Sequence, residues 1–209
     1  MSKNINTKFL LTFILLSLIT LTKQDEDVPK VTVYVESLCP DCVEFITGSF
    51  KTFHEKVTKE NVVDVEFIPF GNAKESYNNK TRKYDFTCQH GDNECYGNLI
   101  ETCAINIMGK QNSYDTIICI EENISSYSKN FDKTLEYCLK NDQDNLSLIK
   151  ECVTSDVGNT YEHIMALKTG EHNWVPWIMV DGVHDIAVEQ LILDSLYDYI
   201  CGDDESKCK

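Results

Sequence analysis

Apolar positions along this chain fall into a few runs whose spacing predicts the elements. Residues 31–35, VTVYV, are β-branched and aromatic throughout, which predicts a buried strand. From Cys42 the apolar residues step through Ile46, Phe50, Phe53 and Val57, marking one face of an amphipathic helix. Pro40 falls in the first turn of that helix, where a missing N–H costs nothing. Residues 62–70, VVDVEFIPF, read as a second strand and complete a strand-helix-strand unit with parallel strands. Near the other end, 174–180 (WVPWIMV) predicts a strand, and Asp181-Gly182 before Val183 is a two-residue hairpin signal. The last periodic segment, 186–200, places Val188, Leu191, Ile192, Leu196 and Tyr199 largely on one helical face.

Between these units, from about 71 to 170, the pattern changes. Strand-like runs are few, polar residues are frequent, and six of the ten cysteines lie here. Residues 95–108 carry Cys95, Leu99 and Cys103 on one helical face, and 159–170 read as a helix with an Asn cap and a terminal Gly. The element order predicts an α/β, thioredoxin-like fold over 28–201. A mostly helical, disulfide-tied insertion at about 71–170 separates its N-terminal strand-helix-strand unit from its C-terminal hairpin-helix unit. Residues 202–209 are a tail.

The first 22 residues hold Lys3, Lys8 and no acid around the apolar run 9–21, the layout of a secretory signal peptide ending near Thr22. That run is too short to span a bilayer, so no stable membrane span is expected. The net charge of −15 becomes more negative once Lys3 and Lys8 are removed, which argues against a nucleic-acid partner. In a secreted chain an even number of cysteines favours disulfides. Three Asn-x-Ser/Thr sequons, at Asn79, Asn123 and Asn145, are expected glycosylation sites in the same lumen.

Cys39-Pro40-Asp41-Cys42, between the first strand and the helix, could exchange disulfides, clip a metal or staple a loop. The first position lies at a helix N-terminus, where unpaired N–H groups stabilise a thiolate. Cys39 is then the attacking sulfur and Cys42 the resolving one, with the Asp41 charge opposing the helix terminus. Zinc needs four ligands. No second CxxC or His pair has the spacing, and disulfides account better for Cys88, Cys95 and Cys103 around His90, so no metal is expected. His90 is read as a structural hydrogen-bonding residue, and His54, His163, His172 and His184 have no constellation around them. Val175-Pro176 occupies the chain position of the cis-proline loop that faces the CxxC in thioredoxin-fold proteins. Trp174 and Trp177 flank it, either shaping a substrate surface or packing in the core.

Residues 88–103, CQHGDNECYGNLIETC, match CQHGxxECxxNxxxxC, eight fixed positions across sixteen residues. With PFGNA (69–73) and WVPWIMVDG (174–182), the chain from about Val31 to Cys201 resembles the gamma-interferon-inducible lysosomal thiol reductase family. That resemblance implies a glycosylated, thioredoxin-like enzyme of lysosomes, endosomes or the extracellular space. Such an enzyme reduces protein disulfides at acidic pH through Cys39 and Cys42, with no cofactor beyond that pair. Its partners would be disulfide-bonded protein substrates and a small-thiol or protein reductant. An ordinary thiol is only about 0.03% ionised at pH 5, so acid activity requires Cys39 to be acidified. A disulfide oxidase or isomerase of the same fold, or a non-enzymatic disulfide-rich binding or defence protein, are the alternative readings.

With Cys39 and Cys42 set aside, Cys88, Cys95, Cys103, Cys119, Cys138, Cys152, Cys201 and Cys208 can form four bridges, and spacing does not select the pairing. Cys201 can reach Cys208 locally or the insertion.

Overall fold

The computed structural model describes residues 28–57 and 62–209. The expected leader over 1–22 lies outside the described residues.

A three-stranded sheet has the order β2-β1-β5. Strand β1 (Lys30–Val35) is central, parallel to β2 (Asp64–Pro69) and antiparallel to β5 (Trp177–Val180). Val31, Val33, Val35 and Tyr34 are all buried, because both faces of β1 are covered. Helix α1 follows β1 and crosses over to β2. It is α-helical over Pro40–Phe45, widens to a π-helix over Ile46–Phe50 and returns to α-helix over Lys51–Lys56.

The π segment has a partner. Helix α7 (Ile186–Cys201) is broken at Ser195, whose φ of −161° and ψ of 99° are non-helical. A break of this kind frees backbone groups that must bond elsewhere. Buried Ser49 takes up two groups there: its hydroxyl donates to the Ile192 carbonyl at 2.6 Å and accepts from the Leu196 N–H at 2.7 Å.

The stretch between the two units contains α2 (Asp92–Met108), α3 (Lys110–Asn123), α4 (Phe131–Cys138), α5 (Gln143–Thr154) and α6 (Asp156–Lys168). It also contains a hairpin that the apolar pattern did not predict: β3 (Lys74–Asn78) pairs antiparallel with β4 (Lys83–Thr87). Both strands are too polar to read as buried runs. Their inward signal is only Tyr84, Phe86 and the Tyr77–Tyr84 ring contact at 5.3 Å. Conversely, the hairpin expected around Asp181-Gly182 shrinks to a turn with one bridge, Val180 to Val183. Its second strand does not form because Asp185 caps α7 at once, accepting from the N–H groups of Ala187 and Val188. Helix α6 is capped by Ser155, four residues before the expected Asn159 cap. Asn159 instead docks β4, accepting from the Tyr84 N–H and donating to its carbonyl.

Two hydrophobic cores result. One surrounds the sheet and joins Phe45, Phe50, Phe67, Ile178, Ile192 and Leu196. The other lies among α2–α5 and joins Ile100, Ile120, Phe131, Leu135 and Ile149.

Candidate active site

Cys39 is the N-cap of α1, and Pro40 takes the first helical position, where φ near −65° is pre-set. The residue before it, Leu38, is held at φ 67°, a left-handed conformation that a leucine adopts only under constraint from its surroundings. Cys39 and Cys42 are both buried and both unpaired. The Cys39 thiol lies 3.8 Å from the Val175 carbonyl, and the Val175-Pro176 peptide bond is cis.

The two sulfurs differ in acidity. A hydrogen bond from the Cys42 thiol lowers Cys39 to about 7 against an opposing burial penalty, helped by the backbone amides of Cys42 and Asp41. Burial pushes Cys42 well above the usual thiol value, and its hydrogen bond to Cys39 and the Cys39 charge push it further. The pair can therefore act as one ionisable nucleophile and one thiol held in reserve. Asp41 helps Cys39 through its backbone amide, while its side chain lines the neighbouring cleft. The sequence showed the acid and not which part of it faces the sulfur.

The segment leading into Cys39 is braced by residues whose letters were recognised and whose purpose was not. The Ser37 N–H donates to Asn98 at 2.7 Å, and its hydroxyl contacts Glu101 at 3.4 Å. Gly97 lets α2 approach: a Cβ there would come within 2.7 Å of the Ser37 Cβ and 2.3 Å of the Phe131 ring. One residue earlier, the buried Glu36 carboxyl accepts from the Asn72 N–H at 2.8 Å and from Gln89. Gly71, at φ 53°, is needed for that approach, since a Cβ would lie 2.5 Å from Glu36 Oε2. His90 bonds Glu94 Oε2 at 2.5 Å and sits 3.7 Å from Glu36 Oε1. PFGNA and the 88–103 signature thus converge on Glu36 and Ser37.

Beside the thiols a cleft of about 320 Å³ is bounded by Asp41, Glu44, Trp174, Pro176 and Asp194 among others. A larger hollow of about 780 Å³ lies at α3–α5, lined by Asp115 and Asn145, and contains neither free thiol. The tryptophans divide the roles open to them. Trp174 is 40% exposed at the cleft, while Trp177 is buried with His184 stacked on it at 3.5 Å. Glu189 ties Trp174 to strand β5, accepting from the Trp174 indole at 2.8 Å and the Ile178 N–H at 2.9 Å. Neither Glu36 nor Glu189 carried a signal in the sequence, since each is a lone acid beside an apolar run.

The other histidines also have partners: His54 bonds Asp115, His163 bonds Glu75, and His172 contacts Asn72. The eight remaining cysteines pair as Cys88–Cys95, Cys103–Cys152, Cys119–Cys138 and Cys201–Cys208. The Cys201 bond is therefore the local one. The first bridge removes the thiolates that a cysteine set around His90 would need. Glu36, His90 and Glu94 bring donor atoms within 4.8 Å of one another. Three of the four carboxyl oxygens of Glu36 and Glu94, however, already take hydrogen bonds from Asn72, Gln89 and His90. Of the sequons, Asn79 is exposed on the β3–β4 turn. Asn123 and Asn145 are half-buried, with their amides bonded to the Cys119 carbonyl and to Asp142. Among the described residues no helix is long and apolar enough to cross a membrane.

Comparison with known proteins bears on the same segments. The family described as Gamma interferon inducible lysosomal thiol reductase (GILT) matches residues 30–142, which contain the CPDC loop, Glu36 and all of α2. The chain is 34% identical over 178 residues to the gamma-interferon-inducible lysosomal thiol reductase of Carassius auratus, covering 82% of this chain and 66% of that protein. It is 32% identical to the Mus musculus protein of the same name, covering 73% and 60% of the two chains. It is 33% identical to the gamma-interferon-responsive lysosomal thiol protein of Arabidopsis thaliana, covering 73% and 61%. The chain thus spans under two thirds of the length of each. Because the match includes both the free thiols and the helix that braces them, this chain belongs to the gamma interferon inducible lysosomal thiol reductase family.

Proposed function

We propose that the protein is a thiol-disulfide oxidoreductase that reduces disulfides of protein substrates, working in an endolysosomal or extracellular setting. The observation that carries this is selective pairing. Eight cysteines are joined, and the two left free are a buried pair of unequal acidity beside a cis-proline loop and a cleft. Cys39 attacks a substrate disulfide as a thiolate and forms a mixed disulfide, releasing one substrate thiolate. Cys42 then loses its proton and attacks the Cys39 sulfur, which releases the second substrate thiolate and leaves a Cys39–Cys42 disulfide. An external thiol reductant returns two electrons to that disulfide.

The sheet, α1 and α7 form the thioredoxin-like part of this reading, over 28–201, and the segment at 71–170 is its insertion. Sheet order β2-β1-β5 with a helix between its parallel strands supports it. The relatives' names support a lysosomal setting, and the exposed Asn79 sequon supports passage through a glycosylating lumen. With Cys39 at about 7, roughly 1% of it is ionised at pH 5, some thirtyfold more than for an ordinary thiol.

The test is reduction of a denatured disulfide-bonded protein at acidic and neutral pH by wild type and Cys39→Ser. Activity at background in the variant is expected, and undiminished activity would overturn the reading. The equilibrium potential against glutathione separates a reductase, at about −270 mV, from an oxidase, at about −120 mV.

A further inference from the structure

We propose that Glu36 is a proton-linked control group for the thiol pair: ionised, its charge holds back the Cys39 thiolate, and neutral, it releases that restraint. This rests on the reading of Cys39 and Cys42 as the exchanging pair.

Glu36 lies three residues before Cys39 with its carboxyl fully enclosed, so its charge is poorly screened by water. Its backbone amide faces the Cys42 sulfur, and its charge acts unfavourably on the ionisation of both thiols. The groups that face Glu36 come from three places. Cys39 and Cys42 belong to α1, and the β2–β3 turn contributes the Asn72 amide. The segment opening α2 contributes Gln89, His90 and Glu94.

The charge count among them makes a switch. Two carboxyl groups share one imidazole, and the imidazole lies closer to Glu94. Even when His90 is cationic, one negative charge stays uncompensated until a further proton binds. One oxygen of Glu94 is also buried without a hydrogen-bond partner, so the uncompensated charge lies in a poorly solvated place. Burial raises Glu36 above the usual carboxylate range; the Glu94 charge adds to this, and the Asn72 amide and His90 oppose it. Acidification therefore neutralises Glu36 at a higher pH than it would an ordinary carboxylate. His90, 38% exposed on its side chain, connects the enclosed carboxyls to solvent. The family signature residues Gln89, His90 and Glu94 gain a role by this account: they hold and charge-balance Glu36.

The experiment tracks the thiolate of Cys39 against pH in the reduced full-length chain, by ultraviolet absorbance and by rate of alkylation with iodoacetamide. Glu36→Gln is expected to move the upper part of the Cys39 titration to lower pH by about half a unit, raising its ionised fraction up to about threefold where Glu36 of wild type is still charged, with the two proteins converging in acid, where that carboxyl is itself neutral. Wild type is expected to show a second inflexion on the acid limb, where Glu36 takes up its proton, and this arm does not depend on any variant folding. Coincident titrations in wild type and Glu36→Gln, or a single-step wild-type curve, would overturn the inference. Failure of Cys39 to alkylate at all in wild type would instead overturn the reading of the thiol pair.

Discussion

The sheet core and the helical core of this chain differ in what holds them together. Around the sheet, apolar side chains close on one another, with a cluster of aromatic rings in which Phe50 lies 4.7 Å from Phe67 and 5.0 Å from Tyr114. That region holds the two free thiols. The helical region is tied by Cys103–Cys152 and Cys119–Cys138, and besides Glu94 it buries three further carboxyl groups, Glu101, Glu121 and Glu162. Burial raises all three above the carboxylate range, Glu162 to about 8, with Glu121 beside Glu101 adding to the effect. Both oxygens of Glu121 lack a partner, and a contact between two carboxyl groups becomes a hydrogen bond only when one is protonated. The sheet core has its own bridge, Cys201–Cys208, but it closes only a local loop of sequence separation 7, whereas the ties of the helical region join residues 49 and 19 apart. The difference teaches that long-range staples and a pair of free thiols can occupy separate regions of one chain.

The hardest test of that contrast is removal of the Cys103–Cys152 bridge, which closes a loop of sequence separation 49. Its loss in Cys103→Ser/Cys152→Ser is expected to cost about 4 kcal/mol on loop-closure entropy. Both tryptophans lie on the sheet side of the molecule, at 174 and 177. In urea, the helical signal of the variant should therefore fall before tryptophan fluorescence changes. Coincident transitions by the two probes would show the two cores to be one cooperative unit.

Next in size is the response to pH. A carboxyl group whose folded pKa is raised contributes stability in full below its unfolded value near 4.5 and loses it as pH rises through the folded value. For Glu162 the window runs from about 4.5 to about 8. Keeping it neutral at pH 7 then costs about 3 kcal/mol, so this group's contribution to stability is largest in acid. Glu162→Gln should flatten the pH dependence of the thermal midpoint, and an unchanged slope would place the titrating group elsewhere. The smallest effect is local: Ser155→Ala removes the α6 cap to the Gly158 N–H and is expected to cost about 1 kcal/mol, read from the urea midpoint.

Much of the sheet region was legible because its signals are local. VTVYV, the apolar steps of α1 and the periodicity of 186–200 are set by one element burying one face, and they led to β1, α1 and α7. The β3–β4 hairpin was not legible, since its strands are polar and its docking depends on Asn159, far along the chain. The truncated hairpin at Asp181-Gly182 has the same cause in reverse: the turn formed as its residues dictate, but the cap of α7 took the residues after Val183 that a second strand would need.

The amino-acid sequence determined the CPDC loop at a strand-helix junction, the proline at 176, the surplus of acid and the family signature, because each depends on residues close in the chain. Only the tertiary structure decided which eight cysteines pair with which, since spacing permits many connectivities and folding brings specific Cα atoms to within 5.6–6.0 Å. It alone placed Glu36 against Gln89, His90 and Glu94. A buried charge acts through space and dielectric, and neither is written in the order of residues.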